Sequence, residues 1–530
     1  MKNMKRYIAA LLALVMCLCL FAGCAKTQGE ATGEQTQTDA NGAENTNASA
    51  EATAASADSD TITVLVQAEP PTLDPPCSNT DNTHLVLRYI CDKLFELNED
   101  GTYNNVLCES YEYLDDMTVR IKLKSGILFS DGTPLTAEDV LFQYVRASQE
   151  AVSASQYAFI DTENSYVEDD TTLVLHFTQA WAPWINTLAG GRASIVSKKA
   201  FEEMGADAFA RAPVGTGPYK IVEWVSGSYI RLEANEYYWQ GVPEVKNIII
   251  KFVEESNSRV IELETGSADI AYYIEGSDID RVNSIPGYHI EMGDSYRYFI
   301  VTYSMQNEYT RNETLRKALT TAIDRDLLVE VCSDGVGTVI DSYSPPLIKD
   351  DYVPEPDYTY DVEKAKQLLA EAGYPDGLTI ELHVEPQAVM KRLAETIQGM
   401  WQEIGVTTNI VTSALATYTA ENDGHFCVCI RDGSAQEISN VWTIYESTFG
   451  SRLEGNDDWL DAKLLEERTY YPGDERRAAC TKEIADYLYE KCYSYPLMVM
   501  PTVYAVSDRI ENFVFHPNQN NLDVNNWIKK

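Results

Sequence analysis

The run Met117–Ala147, MTVRIKLKSGILFSDGTPLTAEDVLFQYVRA, constrains this chain more than any other stretch. Val119, Ile121 and Leu123 alternate with Arg120, Lys122 and Lys124. That period of two describes a strand with one buried face and one basic, wet face. Asp131-Gly132 marks a tight turn, and Pro134 keeps the chain extended beyond it. Thr136 is placed to cap a helix, with Glu138 and Asp139 in the first turn, where the helix dipole favours acids. Val140, Leu141, Tyr144 and Val145 then recur at helical spacing and give one apolar face. A chain with this unit mixes strands and helices.

The N-terminus carries Lys2, Lys5 and Arg6 and then the apolar run Tyr7–Phe21, too short to span a bilayer comfortably. It reads as a signal-peptide core over residues 1–23. Leu20-Phe21-Ala22-Gly23-Cys24 resembles a bacterial lipobox, with Phe21 in place of the usual Leu. Cys24 is then the lipidated first residue of the mature chain; an ordinary signal peptide with an incidental Cys is the plainer alternative. Residues 25–60 contain no Val, Ile, Leu, Met or aromatic residue and carry seven acids against one Lys. Such a segment cannot bury enough apolar surface to offset its ordering entropy. Residues 24–60 are therefore expected to be a disordered tether with an r.m.s. reach of roughly 30 Å.

The body, residues 61–530, is long enough for more than one domain. The net charge is −41, and loss of the three leader cations takes it to about −44. That argues against nucleic-acid binding and against adsorption to anionic lipid through a basic patch. Of eleven Cys, two leave with the leader and Cys24 is the lipid site. The remaining eight are too sparse for a disulfide framework and have no metal-ligand spacing, and the six His are scattered. They are expected to be buried thiols. No metal or cofactor is expected. H-E-x-x-H and G-x-S-x-G are absent, so an enzyme is not expected, with a secreted hydrolase the alternative class.

Along the body, Thr61–Gln67 is an apolar strand run followed by the Pro-rich loop Glu69-Pro70-Pro71-Thr72-Leu73-Asp74-Pro75. His84–Leu94 reads as a helix. Gly215-Thr216-Gly217-Pro218-Tyr219 precedes a strand and lacks a third Gly or a following Lys-Ser/Thr, which argues against a phosphate loop. Asp361–Ala372 is a helix stopped by Gly373-Tyr374-Pro375. Leu378–Val384, Val389–Ile404 and Val406–Val411 form a strand-helix-strand rhythm.

The opening stretch, the Thr72-Leu73-Asp74-Pro75 loop, the Gly-Thr-Gly-Pro-Tyr turn, Asn235–Trp239 and the run from Arg316 to Arg325 occur in family order. Together they resemble the family 5 extracellular solute-binding proteins, peptide-binding lipoproteins of ABC importers. The resemblance implies an α/β, two-lobed Venus-flytrap fold, periplasmic-binding-protein-like (class II, cluster C type), with an additional subdomain. Lobe I is expected at 61–97, 211–303 and 506–530, the subdomain at 98–210 and lobe II at 304–505. The implied protein captures peptides extracellularly in an interlobe cleft and delivers them to ABC permease subunits. It is lipid-anchored outside a Gram-positive-type cell and monomeric. A non-peptide solute (an opine, a metal chelate or an oligosaccharide) and a sensory peptide receptor are the alternatives.

A buried ammonium needs a fixed carboxylate partner. The apolar run Phe426–Ile430 leads into Arg431-Asp432-Gly433, an acid at a strand end, where α/β folds bind ligands. The resemblance puts the family's ammonium-binding Asp at Asp432, although Gln436-Glu437 stands where Asp-Pro is usual. The alternative for Asp432 is a solvated Asp-Gly turn residue. The other candidates are Arg431 and Trp442 flanking that loop, Tyr303 and Tyr157 where relatives face aromatics into the cleft, and Glu69 in the first loop.

Overall fold

The computed structural model describes residues 60–98, 101–348, 352–354, 359–414, 417–418, 427–447, 457–518 and 522–530. The expected leader, tether and Cys24 lie outside the described residues.

Two separate sheets organise the body. A seven-stranded sheet has the order Tyr288–Gly293, Thr502–Ser507, Ile270–Tyr272, Thr61–Val66, Asn247–Phe252, Tyr229–Ala234, Tyr219–Val225. Its centre is parallel: Thr61–Val66 lies between Asn247–Phe252 and Ile270–Tyr272 with all three running the same way. A six-stranded sheet has the order Thr338–Val339, Ser494–Val499, Arg297–Tyr303, Val428–Ser434, Leu378–Val384, Val406–Thr412. Here Leu378–Val384 pairs in parallel with Val406–Thr412 through the helix Ala388–Glu403, the rhythm expected from the sequence.

Two strands pair otherwise than the expected segments would have them. Arg297–Tyr303, expected in lobe I, pairs with Val428–Ser434 and Ser494–Val499 in the six-stranded sheet. Thr502–Ser507, which straddles the expected 505/506 boundary, lies wholly in the seven-stranded sheet. The reason is burial: Phe299 to Tyr303 are covered on both faces, which only an interior strand provides. The chain therefore changes sheet around 294–296 and again at 500–501. The two crossings touch, Ser295 Oγ donating to the Met500 carbonyl at 2.5 Å and Met500 N to the Arg297 carbonyl at 3.1 Å.

The opening stretch forms as expected. Val119, Ile121 and Leu123 are buried in the strand Thr118–Leu123, part of a four-stranded antiparallel sheet. On the wet face Arg120 pairs with Glu112 and Glu168 at 2.7 and 2.8 Å. The helix runs Ala137–Gln149, and Asp139 Oδ2 accepts from the Thr136 N–H and hydroxyl at 2.9 and 2.8 Å. Asp139 Oδ1 also accepts from Lys198 N at 3.0 Å, so one buried acid serves two helix starts.

The early helix spans Asp81–Ile90, earlier than the expected His84–Leu94, because Thr80 accepts from Thr83 N and starts it there. Its C-terminal end packs on the Gly-Thr-Gly turn. A Cβ on Gly215 would stand 2.1 Å from the Ile90 carbonyl oxygen, and one on Gly217 2.5 Å from the Ile90 carbonyl carbon. Those glycines serve backbone contact rather than phosphate binding. All eight body cysteines are free thiols, seven of them buried and Cys77 half-buried.

Candidate functional site

A cavity of about 1170 Å³ collects the carboxyl ends of parallel strands from both sheets. Gln67 and Glu69 follow Thr61–Val66, Glu254 follows Asn247–Phe252, and Tyr273 follows Ile270–Tyr272. From the other sheet, Glu385 and Gln387 follow Leu378–Val384, and Asp432 lies in Val428–Ser434. Side chains beyond strand ends are free of the ladder and can be aimed at a solute, which is why open α/β sheets bind there. Tyr273 adopts φ +55°, a left-handed conformation that non-glycine residues seldom hold, and its position at the wall marks stored strain. Among the described residues the wall carries six carboxylates and four Lys or Arg side chains. Such a lining offers partners to solute charges of both signs.

Asp432 lines the cavity, as expected, but its charge is already matched. Arg297 donates to Asp432 Oδ2 from Nη2 at 2.8 Å and from Nε at 3.3 Å. Gln387 Oε1 accepts from the same Nη2 at 2.9 Å. The register explains the pair: Phe299 stands opposite Asp432 and Arg297 opposite Ser434, so Arg297 and Asp432 are diagonal neighbours on one face. Asp81, at the start of helix Asp81–Ile90, lines the same cavity near them. Asp81 is open to cavity water yet deep among protein atoms, and burial raises its pKa, with Arg297 opposing and the Asp432 charge adding to the rise.

A second charged corner forms at Arg192. Its Nε donates to the Ser78 carbonyl at 3.2 Å and Nη1 to Gln156 Oε1 at 2.6 Å. Both partners are neutral, so among the described residues its positive charge meets no carboxylate by direct contact. His84 beside it is kept neutral: burial, then the charges of Arg192 and Lys93, push its pKa to about 3. Gly191 makes this corner possible, since a Cβ there would lie 2.5 Å from the His84 ring. At the cavity edge, Asn440 Nδ2 donates to Asn186 Oδ1 at 2.8 Å, and Ala182 N to the Arg468 carbonyl at 2.8 Å. The Arg468 guanidinium lies 5.0 Å from the Trp181 ring centre and pairs with Glu446.

The remaining expected residues divide. Tyr157 is in the wall, with its hydroxyl buried and unpartnered and its ring stacked on Tyr144. Glu69 is in the wall too, but its carboxylate accepts from Trp224 Nε1 and Gly227 N at 2.7 Å each and from Ser226. Burial tends to raise its pKa, but the donors of Gly227, Ser226 and Trp224 and the Arg211 charge outweigh it and hold it low. Glu69 therefore ties the first loop to the hairpin Tyr219–Ala234.

Arg431, Trp442 and Tyr303 do not reach the cavity. Successive strand residues point to opposite faces, so Arg431 is buried behind the sheet while Asp432 faces the cavity. Trp442 is the core side of the short helix Ile438–Trp442, packed on Tyr343 and Tyr445, while Ser439 and Asn440 take the cavity side. Tyr303 shares a face with Arg297 but sits six residues along the strand, about 20 Å away. It is buried under the helix Glu313–Thr321, with its hydroxyl 3.0 Å from Thr320 Oγ1. Asp81, Arg192 and Arg297 were not singled out from the sequence. The one available signal was the polar Arg297 opening the apolar run Tyr298–Tyr303.

The family model for bacterial extracellular solute-binding proteins, family 5 Middle, matches residues 102–454, more than half of the chain. The glutathione-binding protein GsiB of Escherichia coli (strain K12) is 29% identical over 407 residues, covering 76% of this chain and 77% of that protein. The oligopeptide-binding protein AppA from Bacillus subtilis, solved with a nonapeptide, superposes with a TM-score of 0.77 at 21% identity, covering 89% of this chain and 99% of that one. NikZ from Campylobacter jejuni, solved with Ni(L-His), superposes with a TM-score of 0.78 at 20% identity, covering 89% and 100%. The superpositions establish the two-lobed, periplasmic-binding-protein-like α/β fold.

Proposed function

Since this chain belongs to the bacterial extracellular solute-binding proteins of family 5, we propose that it is the substrate-binding component of an ABC importer and captures a short peptide between its two lobes. The observation that carries the peptide reading is the cavity lining. A zwitterionic solute needs fixed partners of both signs, and the wall supplies Asp81, the Arg297–Asp432 pair and Arg192 around about 1170 Å³. That volume is of the size that encloses a small ligand. GsiB and AppA, named for glutathione and oligopeptides, support the same class.

In this reading the seven-stranded sheet belongs to lobe I, the six-stranded sheet to lobe II and the four-stranded sheet to the additional subdomain. The crossings at Ser295 and Met500 form the hinge, and the Asn186–Asn440 contact closes the rim over the solute. The protein is a monomer held to the outer face of the membrane by lipid on Cys24, and it presents its solute to permease subunits. It binds without turnover. A non-peptide solute is the second reading, favoured by the Arg297 guanidinium already seated on Asp432 and by NikZ with Ni(L-His).

Calorimetry and thermal shift over di- to hexapeptides test the class, with an opine and a nickel–histidine chelate as comparators. Saturable peptide binding with no cleavage product is expected. Binding of a comparator with no response to any peptide overturns the peptide assignment.

A further inference from the structure

Two carboxylates and one guanidinium meet at one end of the cavity, and their pairing is unequal. Asp432 accepts twice from Arg297 through Oδ2, so a solute ammonium arriving there meets a carboxylate whose nearest neighbour is a cation. The Asp81 carboxylate has no hydrogen bond or ion pair among the described residues, lines the same cavity and lies near enough to Arg297 and Asp432 to feel both charges. Arg297 engages Asp432 and Gln387 through Nε and Nη2, while Nη1 has no hydrogen bond to a described residue. This end of the cavity thus presents one unmatched carboxylate and one guanidinium edge, from two different elements.

We propose that this end binds an α-amino-acid head group, with the ammonium on Asp81 and the carboxylate on the Nη1 edge of Arg297, and that Asp432 with Gln387 positions Arg297 for the task. The assignment rests on the peptide reading above and sharpens it. The preferred solute carries its free amine and a free carboxylate on the same carbon, as a γ-glutamyl peptide does. An ordinary peptide presents only an ammonium at its first residue and keeps its carboxylate at the far end. Charge favours the same division: Asp81 feels Arg297 as an attraction and Asp432 as a repulsion, and a bound ammonium between them relieves the second. Placement favours it too, because a head group bridging the helix start at Asp81 and the strand start at Arg297 draws the two elements together.

Glutathione, N-acetylglutathione and trialanine serve as calorimetric probes on the full mature chain, the Asp81→Asn variant and the Asp432→Asn variant. Expected results are glutathione binding at least tenfold tighter than trialanine, and at least a tenfold loss on acetylation. In Asp81→Asn the acetyl group should cost nothing further, whereas Asp432→Asn should keep an acetylation penalty. Trialanine binding as tightly as glutathione overturns the proposal, as does Asp81→Asn with the penalty intact. Carbodiimide labelling of the empty protein gives a ligand-free arm, in which Asp81 should react and Asp432 should be protected. Labelling of Asp432 ahead of Asp81 overturns the assignment whether or not any peptide binds. Failure of both free peptides on the wild type overturns the peptide reading alone, and the labelling result then decides the role of Asp81.

Discussion

Asn440 and Asn186 are 254 residues apart in sequence and share a hydrogen bond of 2.8 Å at the edge of the cavity. Asn440 belongs to the helix beside the six-stranded sheet, and Asn186 to the helix Trp184–Ala189 of the subdomain. Asn186 is itself held by donating to the Tyr103 hydroxyl at 2.8 Å. This bond, together with the Ala182–Arg468 backbone contact, joins the two walls directly.

Replacing Asn440 with Ala is expected to cost about 1 kcal/mol of the closed arrangement, the net worth of one such bond. The expected signature is faster solute release with little change in association. Stopped-flow dissociation and small-angle scattering of the empty protein would measure it. An unchanged off-rate together with an unchanged radius of gyration would remove the rim contact from the closure mechanism.

The Arg297–Asp432 pair is only partly exposed, so breaking it should be felt in stability as well as binding. Arg297→Gln leaves a carboxylate with no cation beside it, at an expected cost of about 1–3 kcal/mol. Arg297→Gln combined with Asp432→Asn should recover part of that loss, because the orphaned charge is gone. Urea unfolding of both single variants and the double variant gives the coupling energy. Strictly additive effects would mean that the two side chains do not sense each other.

His84 gives the protein an acid-side weakness. Its pKa is about 3 in the folded chain and near the ordinary His value when unfolded. The folded imidazole stays neutral while the unfolded one takes up a proton below about pH 6.5. Its contribution is therefore whole above that pH and is lost as pH falls toward 3. Between pH 7 and pH 5 the loss is about 2 kcal/mol. In His84→Gln, unfolding free energy should fall less over this interval, and an unaltered pH slope would contradict the assignment.

Gly191 is expected to tolerate no side chain. Gly191→Ala puts a Cβ 2.5 Å from the His84 ring, so the ring or the loop carrying Arg192 must shift. Overpacking of this kind costs about 1–3 kcal/mol. Because Arg192 follows directly, solute affinity should fall along with the melting temperature. Shaving the ring with a paired His84→Ala should restore part of the stability. No restoration would place the strain elsewhere.

Much of the local structure was legible because its causes are local. The strand Thr118–Leu123, the Thr136 cap, the helix Val362–Glu371 and the unit from Leu378 to Thr412 follow from periodicity, capping and turn residues within short windows. The start of helix Asp81–Ile90 was missed because its signal, Thr80 accepting from Thr83, precedes the apolar face that marked the helix by pattern. Asp81 therefore lies ahead of the helix that the apolar pattern marks at His84–Leu94.

The sequence by itself determined the α/β class and the family, since both rest on short local motifs in a fixed chain order, and it offered Asp432 as an acid at a strand end. Tertiary structure alone decided which side chains meet there. Arg297 and Asp432 are 135 residues apart and become neighbours only through antiparallel register. Asp81 reaches the same end from another sheet's helix. Strand alternation turned Arg431 to the back of the sheet, and distance along the strand carried Tyr303 into the core. Charge pairing across a cavity depends on register, facing and crossing points. These are long-range quantities that no short stretch of sequence contains.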